Sequence, residues 1–155
     1  MCAIIDANAV GEVFTADRRP PAEQFFDWLE TPRGRLVVGG KLREELSGNG
    51  NFEVWAKEGL LSGRVISFPD GAIQRETATV SASELCKSDD PHIIALARVS
   101  RARLLYSHDR SLHADFTNPQ LVSKPRGRVY PLRESENATR RRRDLLNRTD
   151  LCPNG

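Results

Sequence analysis

Short, dense apolar runs recur along the chain and alternate with stretches of helical periodicity. Cys2–Ile5, Leu36–Val38, Val65–Phe68 and Leu104–Tyr106 are compact and bounded by turn formers or acids. That is the pattern of strands buried on both faces of a parallel sheet. A further short strand is predicted at Leu121–Ser123, between Pro119 and Pro125, and an edge strand at Val129–Tyr130, ended by Pro131. Helices are predicted from about Ala9, over Ala22–Glu30 behind Pro20 and Pro21, around Leu42–Leu46, over Phe52–Leu61 with Trp55 inward, and over Ala72–Cys86. Pro91 suits a first helical position, where its missing N–H would be unpaired anyway, and this makes Asp90 an N-cap. Behind it, Ile93, Ile94, Ala95, Leu96, Ala97 and Val99 are too dense for a half-exposed helix and suit one packed on a sheet. The alternation predicts an α/β protein, a three-layer α/β/α sandwich around a mainly parallel sheet.

Composition narrows the class. A chain of 155 residues with 39% hydrophobic and 28% charged residues suits one globular domain. No apolar run of about 18 residues is present to span a membrane, and strand-like residues begin at Cys2, leaving no room for a signal peptide. A cytoplasmic protein with no membrane partner is the expectation. Cys2, Cys86 and Cys152 are odd in number and lack zinc-site spacing, so all three are expected to be buried free thiols. The net charge of +2 conceals an asymmetry: from Lys124 onward nine Lys/Arg face four Asp/Glu, whereas residues 1–123 carry fourteen against seventeen. The domain is expected to occupy residues 1–133, with 134–155 a basic C-terminal helix or tail whose Arg140–Arg143 run either attracts phosphate or is a solvated charge run.

Acids stand where the pattern ends strands or starts helices: Asp6 after the first strand, Asp90 before Pro91, and Asp109 and Asp115 after Tyr106. In open α/β sheets ligands bind beyond the carboxyl ends of the strands, so these acids would share one cleft. Converging carboxylates repel unless a cation sits among them, and oxygen-only donors suit Mg²⁺ or Mn²⁺. In the Leu42–Leu46 helix, at about 100° per residue, Glu45 flanks the buried stripe and Glu44 turns away, which makes Glu45 the site candidate. Asp6 alone also reads as a helix cap.

Four segments, IIDAN (Ile4–Asn8), KLREEL (Lys41–Leu46), DDPHIIALA (Asp89–Ala97) and YSHDRSLHADF (Tyr106–Phe116), together resemble the PIN-domain ribonucleases across most of the chain. The resemblance implies an α/β/α sandwich whose carboxylates gather around Mg²⁺ or Mn²⁺ and hydrolyse single-stranded RNA. By position, Asp6, Glu45, Asp90 and Asp109 match the catalytic, metal-holding acids, Asp115 is a further metal ligand, and Asn8 matches a polar substrate-side position. The doubled Glu44/Glu45 and Asp89/Asp90 leave each match open by one residue. Arg110, Arg140 and Arg141 are expected to contact substrate, as are His108 beside Asp109 and the basic residues Arg101 and Arg103. Many small members of the family are toxins of toxin–antitoxin pairs, so the candidate partners are RNA, an antitoxin protein and a second copy of the chain.

Two other readings stand beside this one. DANAV after Ile5 resembles the nucleophile loop of haloacid-dehalogenase-type phosphatases, with Asn8 in place of the second Asp, the general acid/base. A catalytically inactive RNA-binding or docking module with the same fold is the other.

Overall fold

The structure, a computed structural model, describes residues 2–148 and 151. Five strands, β1 (Ala3–Ile5), β2 (Leu36–Gly39), β3 (Val65–Phe68), β4 (Leu104–Tyr106) and β5 (Arg128–Val129), form one sheet in the order β3-β2-β1-β4-β5. Every pairing is parallel, with Ala3 opposite both Leu36 and Leu104, and Leu105 opposite Val129. β1, β2 and β4 are buried throughout, as their unbroken apolar runs require of a sheet covered on both faces. The predicted strand at Leu121–Ser123 is absent. The amides of Leu121 and Val122 both donate to Asn118 O, so the segment is a turn whose two apolar side chains drop into the core.

Eight helices cover the sheet among the described residues: α1 (Ala7–Val13), α2 (Pro20–Leu29), α3 (Gly40–Leu46), α4 (Gly50–Ser62), α5 (Asp70–Ala82), α6 (Pro91–Ser100), α7 (Arg110–Phe116) and α8 (Glu136–Leu146). The result is the expected three-layer α/β/α sandwich. α5 packs along α6, and α6 lies over β2 and β3, while α2 packs with α1 and α8. Under α2, Phe25 meets Tyr106 and Tyr130, and those two tyrosines stack with ring centroids 4.9 Å apart. No helix among the described residues is long and apolar enough to cross a membrane.

α8 belongs to this packing. Ala138, Arg142 and Leu146 form its buried face, and Arg142 is fully enclosed, donating to Gln24, to the carbonyls of Pro131 and Arg133, and to Thr139. The run of four arginines therefore divides: one is structural and Arg140, Arg141 and Arg143 are exposed. Arg103 is likewise buried, donating to the carbonyls of Ala97, Ala102, Ser123 and Pro125. Its guanidinium is spent on the fold, which corrects the expectation that it contacts substrate. Cys2 is disulfide-bonded, overturning the reading of it as a free thiol; Cys86 is free, and Cys152 lies outside the described residues.

Candidate active site

The chain builds β1, β2 and β3 outward in one direction, then returns to add β4 and β5 on the other side of β1. The order thus reverses between β1 and β4, and the carboxyl ends of two strands diverging at such a switch point leave a crevice. Asp6 and Ser107 are the first residues past these two strands. The Asp6 amide donates to Tyr106 O at 2.9 Å, continuing the ladder by one step, and the Ser107 hydroxyl donates to Asp6 Oδ2 at 2.7 Å. Asp6 is the N-cap residue of α1, yet its side chain caps nothing, so the carboxylate is free for the crevice.

Asp109 stands at the N-cap of α7, and one of its oxygens accepts from the Ser111 hydroxyl and from the amides of Ser111 and Leu112. The Ser111 hydrogen bond leads these in holding its carboxyl below the usual range. Asp90 precedes α6 and is half-buried, while its neighbour Asp89 is exposed. Burial first and the negative charge of Asp6 next push the Asp90 carboxyl up, with lesser contributions from Glu45 and Asp109 and an opposing pull from His92. Three acids from other elements thus act on Asp90 at this site.

Glu45 arrives on α3, whose start is fixed by sterics. Gly40 adopts φ +60°, and a Cβ on the preceding Gly39 would meet Phe68 O at 2.9 Å. Asp70 then anchors the helix, accepting from the Gly40 amide at 2.9 Å and from Arg43 at 2.8 Å. In this register Leu42 and Leu46 are buried, Glu45 is half-buried and Glu44 is exposed. Glu45 Oε1 lies 4.0 Å from Lys41 Nζ and 3.1 Å from His92 Nε2. The histidine contact is off the line that a hydrogen bond needs, and the buried Nε2 has no other partner. Burial keeps the His92 pKa below its ordinary value despite the pull of Glu45 and Asp90.

Other candidates fall at or away from this centre. Asn8 Oδ1 accepts the His108 amide at 3.3 Å, tying α1 to the loop after β4, and the His108 ring pairs with Glu12. Arg110 is exposed beside Asp109. Asp115 is buried, and its carboxylate accepts from the Lys87 and Ser88 amides and the Cys86 thiol, so it fastens the loop before Asp90 and is not presented to the crevice as a metal ligand. Arg140 and Arg141 are exposed on α8 and pair with none of the four acids among the described residues. Sequence reasoning missed Ser107, His92 and Glu12 as parts of the site. His92 had a legible signal, since it follows Asp90 by two residues in the first turn of α6, and Glu12 stands one helical turn beyond Asn8.

Among the described residues no three His, Cys, Asp or Glu side chains lie close enough to form a coordination set by themselves. The donors do fit a hydrated hard cation. Mg²⁺ keeps several waters and uses only one or two direct carboxylates; Asp6, Glu45 and Asp109 lie near enough to act on Asp90, and among the described residues Lys41 is the sole lysine or arginine paired with any of the four. Comparison with family models, curated proteins and solved structures gave no match.

Proposed function

We propose that this chain is a divalent-metal-dependent ribonuclease that hydrolyses phosphodiester bonds of single-stranded RNA at the crevice between β1 and β4. One observation supports the reading: at the switch point of a parallel sheet the negative charges of Asp6, Glu45 and Asp109, delivered by three other elements, all act on the half-buried Asp90 and add to the effect of its burial in raising its pKa. Such mutual repulsion is costly unless a cation is bound there. Mg²⁺ or Mn²⁺ held by Asp6, Asp90, Asp109 and Glu45 would supply a water activated near neutral pH and positive charge for the phosphate oxygens.

The chain's own residues orient the donors. Ser107 aims Asp6, Ser111 and the first amides of α7 hold Asp109 ionised, and Lys41 with His92 sets the position of Glu45. Asn8 is committed to the His108 amide. An amide there cannot exchange protons as the second acid of a phosphatase loop must, which supports the nuclease over the phosphatase reading. A role as the toxin of a toxin–antitoxin pair rests on the sequence resemblance alone.

The test is cleavage of a labelled single-stranded RNA with Mn²⁺ or Mg²⁺, with excess EDTA, and with Asp6→Asn. Cleavage that needs metal and is lost in the variant is expected. Cleavage persisting in EDTA, or hydrolysis of p-nitrophenyl phosphate in its place, overturns the reading.

A further inference from the structure

Past the carboxyl end of β5 the surface changes sign. Tyr130 N donates to Leu105 O, so Pro131 stands level with Ser107, on the same sheet edge as Asp6 and Asp109. A groove of about 570 Å³ begins there, with Arg133, Arg140 and Arg141 in its walls. A second groove, of about 560 Å³, continues down the flank of the sheet between β5, the end of α7 and α8, and is lined by Arg126, Arg128 and Arg141. Arg141 and Asp144 line both, so the two form one track along the outer edge of the sheet.

Four charges of this track are uncommitted among the described residues. Arg128, Arg133, Arg140 and Arg141 are exposed, and their side chains have no hydrogen-bond or ion-pair partner among the described residues; Arg126 donates only through Nε, to Thr117 O. Arg142, between Arg140 and Arg143, shows the contrast, since every direction of its fork is taken by the fold. Asp144 is the one carboxylate in the track among the described residues: Glu134 pairs with Arg19, and Glu136 lines a different groove. Six arginines, Arg148 included, line the two grooves with one acid among the described residues; like charges so placed are unfavourable to the fold by themselves, and they suit a ligand that carries negative charge at regular intervals. Guanidinium also matches phosphate oxygens in a bidentate fork.

We propose that this track binds the phosphodiester backbone of a single RNA strand outside the crevice and leads it to the carboxylate edge. The inference rests on the ribonuclease reading for the identity of the strand, and it concerns backbone contacts without base readout. Arginine on an exposed edge strand also discourages strand pairing between molecules. That role by itself requires no RNA affinity, so binding measurements separate the two.

The experiment is fluorescence anisotropy of a labelled oligouridylate in EDTA, where no cleavage occurs, across a series of salt concentrations. The proteins are wild type, Arg128→Ala/Arg141→Ala, Arg128→Lys/Arg141→Lys, Asp6→Asn, and Lys57→Ala on α4 as a control. The double alanine variant should bind at least about tenfold more weakly, and its slope of log K against log salt should be shallower by about 1.4, at about 0.7 per lost contact on a single strand. The lysine variant should keep the slope, Lys57→Ala should match wild type, and Asp6→Asn should bind as well as wild type or better. Unchanged affinity and slope in the double alanine variant overturn the track. So does wild type that binds polyglutamate but not oligouridylate, which would make this a surface for an acidic protein. Because binding is read without cleavage, an inactive protein whose track still binds RNA would refute the ribonuclease reading and leave the track standing.

Discussion

Ser107 and Asp6, separated by 101 positions in the sequence, are joined by a 2.7 Å hydrogen bond across the point where the sheet order reverses. The same hydroxyl oxygen accepts the Asp109 amide at 3.0 Å, so one buried side chain sets two of the four acids. Ser107→Ala leaves that amide without its acceptor and Asp6 without its only side-chain donor. Stability should fall by about 1–3 kcal/mol, the cost of an unsatisfied buried group, as read by urea unfolding. Metal-dependent cleavage should fall further than this destabilisation explains at temperatures where the variant is folded. Full cleavage by a folded variant would show that Asp6 needs no orienting partner.

The doubled acids give a paired comparison. Glu45 is half-buried beside His92, whereas Glu44 is exposed on the same turn of α3. Glu45→Gln should lower kcat by about a hundredfold or more, in the range typical for loss of a group acting in proton transfer or charge stabilisation, and Glu44→Gln should stay within about twofold. Steady-state rates on one RNA substrate decide it, and the reverse ranking would move the site to the other face of α3.

Metal should stabilise the fold. A ligand that binds only the native state contributes about 2.7 kcal/mol at a hundredfold excess over its Kd, or very roughly 5–10 °C in melting temperature for a chain of this size. Mn²⁺ at fixed ionic strength should produce a shift of that order. Asp90→Asn should blunt it while leaving the metal-free protein at least as stable as wild type, because it removes one of the mutually repelling charges. Equal metal-induced shifts by circular dichroism in the two proteins would reduce Asp90 to a helix cap.

Asp115 carries a pH dependence whose sign is fixed by its surroundings. Burial by itself would raise its pKa, but the amides of Lys87 and Ser88, the Ser88 hydroxyl and the Cys86 thiol together hold it below the usual carboxylate value. A group with a depressed folded-state pKa contributes stability that is present above the unfolded value near 3.9 and is lost as pH falls through the folded one. Unfolding free energy should therefore decline on acidification below about pH 5, and Asp115→Asn should flatten part of that decline while lowering stability at neutral pH. An acid limb identical in the two proteins would contradict the assignment.

Much of the sheet was legible because a strand buried on both faces is an unbroken apolar run, and β1, β2 and β4 have that form, while β3 at the edge of the sheet keeps a short β-rich run around an exposed Ser67. Leu121–Ser123 misled because three apolar or small residues between prolines suit a strand only if a neighbour offers paired backbone, and here Asn118 O takes both amides. The short helix α7 has too few residues to show a period, although Asp109 followed by Ser111 is its cap. Asp6, Asp90 and Asp109 are named from element ends, and Glu45 from its place beside the buried stripe of its helix. Asp115 was placed with them because its residue type suits a metal, and nothing in the sequence tells that its oxygens are taken by a loop almost thirty residues earlier. Nor does a run of identical arginines say which one turns inward; only the packing of α8 on α2 selects Arg142.

The clamp at Asp115 also joins acids that the sequence keeps apart. Asp109 caps the first turn of α7 and Asp115 lies in its last, gripping Ser88, two residues before Asp90. Ser107 links Asp109 back to Asp6. Three of the acids are thus mounted on one frame. Glu45 comes from outside that frame, on a helix anchored to Asp70 beyond β3 and packed against α1 and α6. The crevice is thus a bracket with three acids on one hydrogen-bonded arm, and α3 closes it from the other side through side-chain packing.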